Sequence, residues 1–118
     1  MNVTVYHNPV CMHSRGVLEL IEQAGIEPDV VEYMKTPLNR KTLVDLLQRA
    51  GLSVRDILRP QEAVYKALTL DDPTLTDKQL LDAIDAHPVL MNRPIVVTPL
   101  GVRLCRPADL VLDILPDA

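Results

Sequence analysis

Val3-Thr4-Val5-Tyr6-His7-Asn8-Pro9-Val10-Cys11-Met12-His13-Ser14-Arg15, running on into a helical pattern that ends at Gly25, contains the first two elements of an α/β fold. Val3 to Tyr6 is a β-branched, aromatic run of strand type. From Ser14 to Ala24 the apolar positions Val17, Leu18, Leu20, Ile21 and Ala24 fall on one helical stripe. Gly25 suits a left-handed cap after it. Asp29 to Tyr33 is a second short apolar run, so strand, helix and strand follow within about thirty residues, which implies a right-handed parallel crossover. Between the first strand and the helix stands Cys11, at a place where unpaired N–H groups and the helix dipole favour a thiolate over a thiol.

Outward from that unit the chain turns helical. Asn39 can cap a helix carrying Leu43, Val44, Leu46, Leu47 and Ala50 before Gly51, and Ser53-Val54-Arg55-Asp56 reads as a capping box for a short helix stopping at Arg59-Pro60. A further short helix is expected around Ala63 to Leu68. Thr76-Asp77-Lys78-Gln79 is a second capping box, opening a helix that is over by His87-Pro88. Strands then return: Pro94 to Thr98 and Val102 to Cys105 flank the turn Pro99-Leu100-Gly101 and read as a β-hairpin. Pro107 suits the first turn of a closing helix through Leu110, Val111, Leu112, Ile114 and Leu115. The expected architecture is therefore α/β, a thioredoxin-like mixed β-sheet with flanking helices, in one domain over residues 1–118 with a helical insert at about 38–87.

Composition excludes several functions. The chain has 118 residues and a net charge of −4, with no basic stripe, and Tyr6, Tyr33 and Tyr65 are its only aromatics, so neither phosphate tracking nor base stacking has the residues it needs. Nucleic acid is not an expected partner. No apolar run approaches bilayer length and the first ten residues lack the pattern of a secretory signal, so a membrane is not expected either and the cytoplasm is the expected compartment. Two cysteines make no disulfide framework. With no coiled-coil heptads, a monomer is expected.

Taken alone, a free cysteine is more often a small buried hydrophobe than a nucleophile. Around Cys11, however, His7, His13, Ser14 and Arg15 supply two imidazoles, a hydroxyl and a guanidinium, all able to stabilise a negative sulfur. A second signal is arginine placement. Arg59, Arg93 and Arg106 each precede a proline, which ends helices and holds the preceding residue extended, so each guanidinium stands at an element terminus. Such termini collect ligands in open α/β sheets, and a guanidinium offers forked donors matched to tetrahedral oxyanions. Cys105 reads as packed and inert. His87 reads as a turn residue without a second metal ligand at helical spacing, and Asp71, Asp72 and Asp77 as a solvated loop and helix start.

Tyr6-His7-Asn8-Pro9-Val10-Cys11 with Ser14-Arg15, and the long run from His87-Pro88 through Asn92-Arg93-Pro94-Ile95-Val96-Val97-Thr98-Pro99-Leu100-Gly101 to Arg103-Leu104-Cys105-Arg106-Pro107, resemble the glutaredoxin-coupled arsenate reductases over essentially the whole chain. The resemblance implies Cys11 as the catalytic cysteine, with His7 lowering its pKa and Ser14 as a hydrogen-bonding neighbour of the sulfur. It implies Arg59, Arg93 and Arg106 as the oxyanion site, and a cis bond at Arg93-Pro94. It further implies reduction of arsenate to arsenite through a thioarsenate on Cys11, with glutathione as co-substrate, glutaredoxin as partner, and no bound cofactor or metal. Met12-His13 departs from the small residues that members of the family often carry there. Ser14 fills the slot where a dithiol enzyme has its second cysteine, so electrons must come from outside thiols. A glutathione-linked thiol oxidoreductase that does not use arsenate, and a redox-sensing regulator of transcription, are the alternatives on this fold.

Overall fold

The computed structural model describes residues 2–116. The chain divides into two compact units, one made of Met1–Thr36 with Arg93–Ala118 and the other of Pro37–Asn92.

The first unit is built on a four-stranded sheet. Its strands are β1 (Thr4–His7), β2 (Asp29–Glu32), β3 (Ile95–Thr98) and β4 (Gly101–Leu104), in the order β2-β1-β3-β4. β1 pairs with β2 in parallel, Thr4 opposite Asp29, as the crossover rule requires; β3 runs antiparallel to both β1 and β4. The crossover is the helix α1 (Met12–Gln23), which begins two residues earlier than the apolar stripe suggests and has Cys11 as its N-cap. It ends as expected. Gly25 takes φ 78°, its N–H donates to the Glu22 carbonyl at 2.9 Å, and the Ile26 N–H reaches back to Ile21 at 3.2 Å, a Schellman closure that only a residue at ease with positive φ permits. Val17 and Ile21 are fully buried against Val3, Val5 and Val96 of the sheet, with Cys105, Val111 and Ile114 completing the core.

The hairpin forms with a Pro99-Leu100 turn, in the register Thr98 opposite Gly101. Beyond it, the closing helix is not an α-helix. Ala108–Asp113 is a 3-10 helix, Leu110 bonding back to Pro107 at 3.1 Å and Ile114 to Val111 at 3.1 Å, so Ile114 and Leu115 lie outside it. Pro107 opens the segment and Pro116, which disfavours helical Leu115, closes it, and i→i+3 bonds satisfy the backbone groups over this short length. The segment packs on α1, and Gly16 allows it: a Cβ there would lie 3.2 Å from the Ala108 Cβ.

The second unit is helical. α2 (Arg40–Ala50) is capped by Asn39, whose side chain accepts from the Lys41 N–H at 2.8 Å, and it ends at Gly51 with φ 70°. The reciprocal bonds of the Ser53/Asp56 box form, at 2.8 and 3.2 Å, but what they open is one 3-10 turn, Arg55–Ile57. α3 is Ala63–Ala67, and α4 (Asp77–Ala86) carries the full Thr76/Gln79 capping box. A 3-10 turn at Pro88–Leu90 follows where the sequence gives only a stop. Leu58 and Met91 form an isolated antiparallel bridge, reinforced by Arg59 N–H to Leu90 O at 3.0 Å and Asn92 N–H to Ile57 O at 2.7 Å. Arg59 is thereby fixed through its main chain.

Candidate active site

Three chain segments meet at one end of the sheet. Cys11 follows the C-terminal end of β1; Arg93-Pro94 lead into β3, which runs the other way; Arg106 follows the C-terminal end of β4, itself antiparallel to β3. The Cys105 N–H donates to the Pro94 carbonyl at 3.0 Å, which extends the hairpin pairing by one step and sets the two arginine-bearing termini side by side. Arg93-Pro94 is cis, as expected, and so is Arg106-Pro107, which the sequence did not announce.

The turn before α1 is held by Asn8. Its side-chain oxygen accepts from the Val10 N–H at 3.1 Å and its carbonyl from the Cys11 N–H at 3.0 Å, while its own N–H donates to Ser14 Oγ at 3.3 Å. Asn8 and Ser14 are both buried. An Asn-Pro pair before a helix was the available signal for this turn, an Asx turn in the making. Cys11 is thus held at a helix mouth, while Val10 and Met12 on either side are 79 % and 71 % exposed, so the reactive atom is recessed between two projecting apolar side chains.

Burial pushes the Cys11 thiol up, but four hydrogen bonds to the sulfur more than offset it: the main-chain N–H of Ser14, the Arg93 guanidinium, the main-chain N–H of His13 and the Arg106 guanidinium bring the pKa down from 9.0 to about 7. Arg106 Nη1 lies 3.5 Å from the sulfur and also donates to the Arg93 carbonyl at 2.9 Å, which ties the two arginines together. The thiol is thereby brought into the range where it ionises near neutral pH. Desolvation is the largest single contribution and limits how far the hydrogen bonds lower the thiol.

Ser14 acts on the sulfur through its main chain, whereas its hydroxyl serves the Asn8 N–H. His7, at the end of β1 opposite Glu32, is buried, and desolvation lowers its pKa, with the Glu32 carboxylate opposing and Arg15 adding to the effect. Its ring is neutral near pH 7 and its buried Nδ1 has no hydrogen-bond partner among the described residues. It is not among the groups that lower the sulfur pKa. Arg59 belongs to the second unit, where Glu62 and Asn92 hold its side chain. Cys105 lies in the core, its thiol pushed up to about 12 by burial. Among the described residues no three His, Cys, Asp or Glu side chains form a group able to hold a metal ion, and no helix is long and apolar enough to cross a membrane.

A thiolate fed by two guanidiniums at a helix mouth is the setting of a sulfur nucleophile that meets an oxyanion. A profile of the ArsC family matches residues 6–114, from within β1 to just past the closing segment. The chain belongs to the ArsC family. An arsenate reductase of Rhizobium meliloti (strain 1021) is 54 % identical over 117 residues, covering 99 % of this chain and 84 % of the relative. One of Escherichia coli is 53 % identical over 117 residues, covering 99 % and 83 %. The solved arsenate reductase from Vibrio cholerae superposes with a TM-score of 0.93 at 44 % identity, covering 98 % of each chain. The fold of this ArsC chain is thioredoxin-like, with a mixed four-stranded sheet and flanking helices.

Proposed function

We propose that this ArsC protein is an arsenate reductase, with Cys11 as nucleophile and Arg59, Arg93 and Arg106 as the oxyanion site. The observation that carries the reading is the contact of both the Arg93 and Arg106 guanidiniums with the Cys11 sulfur, on a thiol brought to about 7. Relatives that are half identical over nearly the whole chain are arsenate reductases, which supports the same substrate here.

In this reading the Cys11 thiolate attacks arsenic and an arsenate oxygen leaves as water after taking up protons, so an S–As bond forms and an As–O bond breaks. Guanidiniums that neutralise the resting thiolate are released toward the oxyanion as sulfur gives up its charge, and no separate base is needed to activate the sulfur. His7 contributes as a neutral ring rather than as a cation. Glutathione sulfur then attacks the Cys11 sulfur, its proton passing to an arsenic-bound oxygen, and arsenite leaves. As the S–As electron pair passes to arsenic, arsenic(V) becomes arsenic(III), and the two sulfurs are left joined as a Cys11–glutathione mixed disulfide. Glutaredoxin removes that glutathione by thiol exchange and restores Cys11. With Ser14 in the third position after Cys11, no partner cysteine in the motif competes for this step.

The test is NADPH consumption by the purified protein with glutathione, glutaredoxin and glutathione reductase on addition of arsenate. Consumption is expected with the parent and with Cys105→Ser, and none above background with Cys11→Ser. Arsenate-independent consumption, or activity in Cys11→Ser, overturns the reading.

A further inference from the structure

We infer that Asn8 and Ser14 are positioning residues, a clamp that closes the turn carrying Cys11 onto the first turn of α1; this rests on the reading of Cys11 as the nucleophile. Their side-chain oxygens both serve main-chain N–H groups. Asn8 Oδ1 accepts from the Val10 N–H at 3.1 Å, an Asx turn, and the Asn8 carbonyl accepts from the Cys11 N–H at 3.0 Å, across a turn whose second position is Pro9. Ser14 Oγ in turn accepts from the Asn8 N–H at 3.3 Å.

These bonds engage every main-chain N–H of the turn. Asn8, Val10 and Cys11 each donate within the clamp, and Pro9 has no N–H to give. Past Met12, the first residue of α1, the N–H groups of His13 and Ser14 donate to the Cys11 sulfur. Ser14 therefore works in two directions. Its N–H faces the sulfur while its hydroxyl ties down Asn8, six residues earlier, a capping box widened by a turn of chain.

The sulfur meets those N–H groups only while Cys11 stays in the extended N-cap conformation, φ −90° and ψ 123°. Cysteine is not among the residue types that favour an N-cap, so its neighbours must hold it there. Asn8 and Ser14 are both buried, and water cannot replace a partner that either loses. Asparagine also supplies the Asx acceptor without charge. Aspartate would make the same turn but would put a buried carboxylate in the turn that carries the thiolate.

The experiment follows the pH dependence of Cys11 alkylation by iodoacetamide, and of arsenate turnover, in the full chain carrying Asn8→Ala, Asn8→Ser, Ser14→Ala or both alanines, with urea unfolding alongside. Ser14→Ala leaves the main-chain N–H at the sulfur, and every variant keeps Arg93 and Arg106, the charged groups that face it. Asn8→Ala and Ser14→Ala should each raise the alkylation midpoint by about half a unit to one unit. Both rates should then fall about threefold to tenfold at pH 6 and recover by pH 9. The double variant should shift the midpoint by less than the sum, because the two bonds hold one turn. Asn8→Ser keeps an uncharged acceptor and should stay near the parent. An unchanged midpoint in both alanine variants, with only stability lowered, overturns the inference. So does a shift in Ser14→Ala alone, which would mean that the hydroxyl acts on the sulfur directly, or a loss as large at pH 9 as at pH 6. Ser14→Ala with Asn8→Ser decides the matter if Asn8→Ala does not fold: a shift of the first with none in the second is expected, and no shift in the first overturns it. Alkylation needs no arsenate. A parent that fails to reduce arsenate defeats the functional reading of Cys11, while the midpoints still decide the role of the clamp.

Discussion

Cys11 owes its reactivity to a contest that hydrogen bonds win over burial. Arg106 supplies one of those bonds at 3.5 Å and Arg93 another, so the arginines tune the sulfur as well as forming part of the proposed oxyanion site. Arg106 Nη1 serves both the sulfur and the Arg93 carbonyl, and lysine would keep the charge but lose the planar group that directs that nitrogen and the forked donors suited to an oxyanion. For Arg106→Lys, the midpoint of the pH profile of Cys11 alkylation should rise above the parent's value near 7, by about half a unit to one unit, and arsenate turnover should fall clearly. His7→Gln should move that midpoint less, because the neutral ring brings no charge. At this scale the sequence was most legible where side-chain identity carries the chemistry: a cysteine at a helix start and arginines before prolines. It was silent where the main chain does the work. The Ser14 and His13 N–H groups would lower the sulfur with almost any side chain, and the Glu62 partnership with Arg59 reads in sequence as one more i,i+3 surface pair.

Elements position these residues through a few close approaches. Gly16 lets α1 settle against Ala108, two residues after Arg106, and thereby holds the helix mouth near that guanidinium. Gly16→Val should force the closing segment outward, costing about 1–3 kcal/mol of stability by denaturant unfolding and raising the Cys11 alkylation midpoint. In the helical unit, Thr69 has φ 54° and stands after α3, with Leu70 N–H bonding back to Tyr65 at 3.0 Å and Thr69 N–H to Lys66 at 3.1 Å. That is the same closure that Gly25 makes after α1, imposed on a β-branched residue because it carries Leu70 into the interior. Thr69→Gly should stabilise the protein by about 0.5–1 kcal/mol, seen as a raised unfolding midpoint. Caps were legible because Asn39, Thr76 and Ser53 bond locally, within three residues. The 3-10 character of the segments after Ser53, His87 and Pro107 was not, since local propensity is the same for both helix types and only length and neighbours choose between them.

For the whole molecule the two thiols act on stability with opposite signs. Folding lowers the Cys11 pKa from 9.0 to about 7, so its contribution is complete only above pH 9 and is lost as pH falls through 7. Folding raises Cys105 to about 12, so its contribution is complete below pH 9 and is lost as pH rises toward 12. Stability of the parent relative to Cys11→Ser should therefore increase by about 2 kcal/mol between pH 7 and pH 9, measured by urea unfolding. Relative to Cys105→Ser it should decrease only above pH 9. The order of elements and the parallel crossover were legible because apolar periodicity and glycine and proline punctuation are local. The β3–β1 pairing and the Leu58–Met91 bridge join residues far apart in sequence, and no local pattern marks them.

In the proposed function arsenate reacts at Cys11 and leaves it joined to glutathione. Intact-mass measurement of the protein incubated with arsenate and glutathione, with glutaredoxin withheld, tests it most directly. One glutathione per chain should accumulate on Cys11 only when arsenate is present, at a rate that saturates with arsenate, and should be absent from Cys11→Ser. Glutathione that accumulates equally without arsenate, or appears on Cys105, would contradict the account.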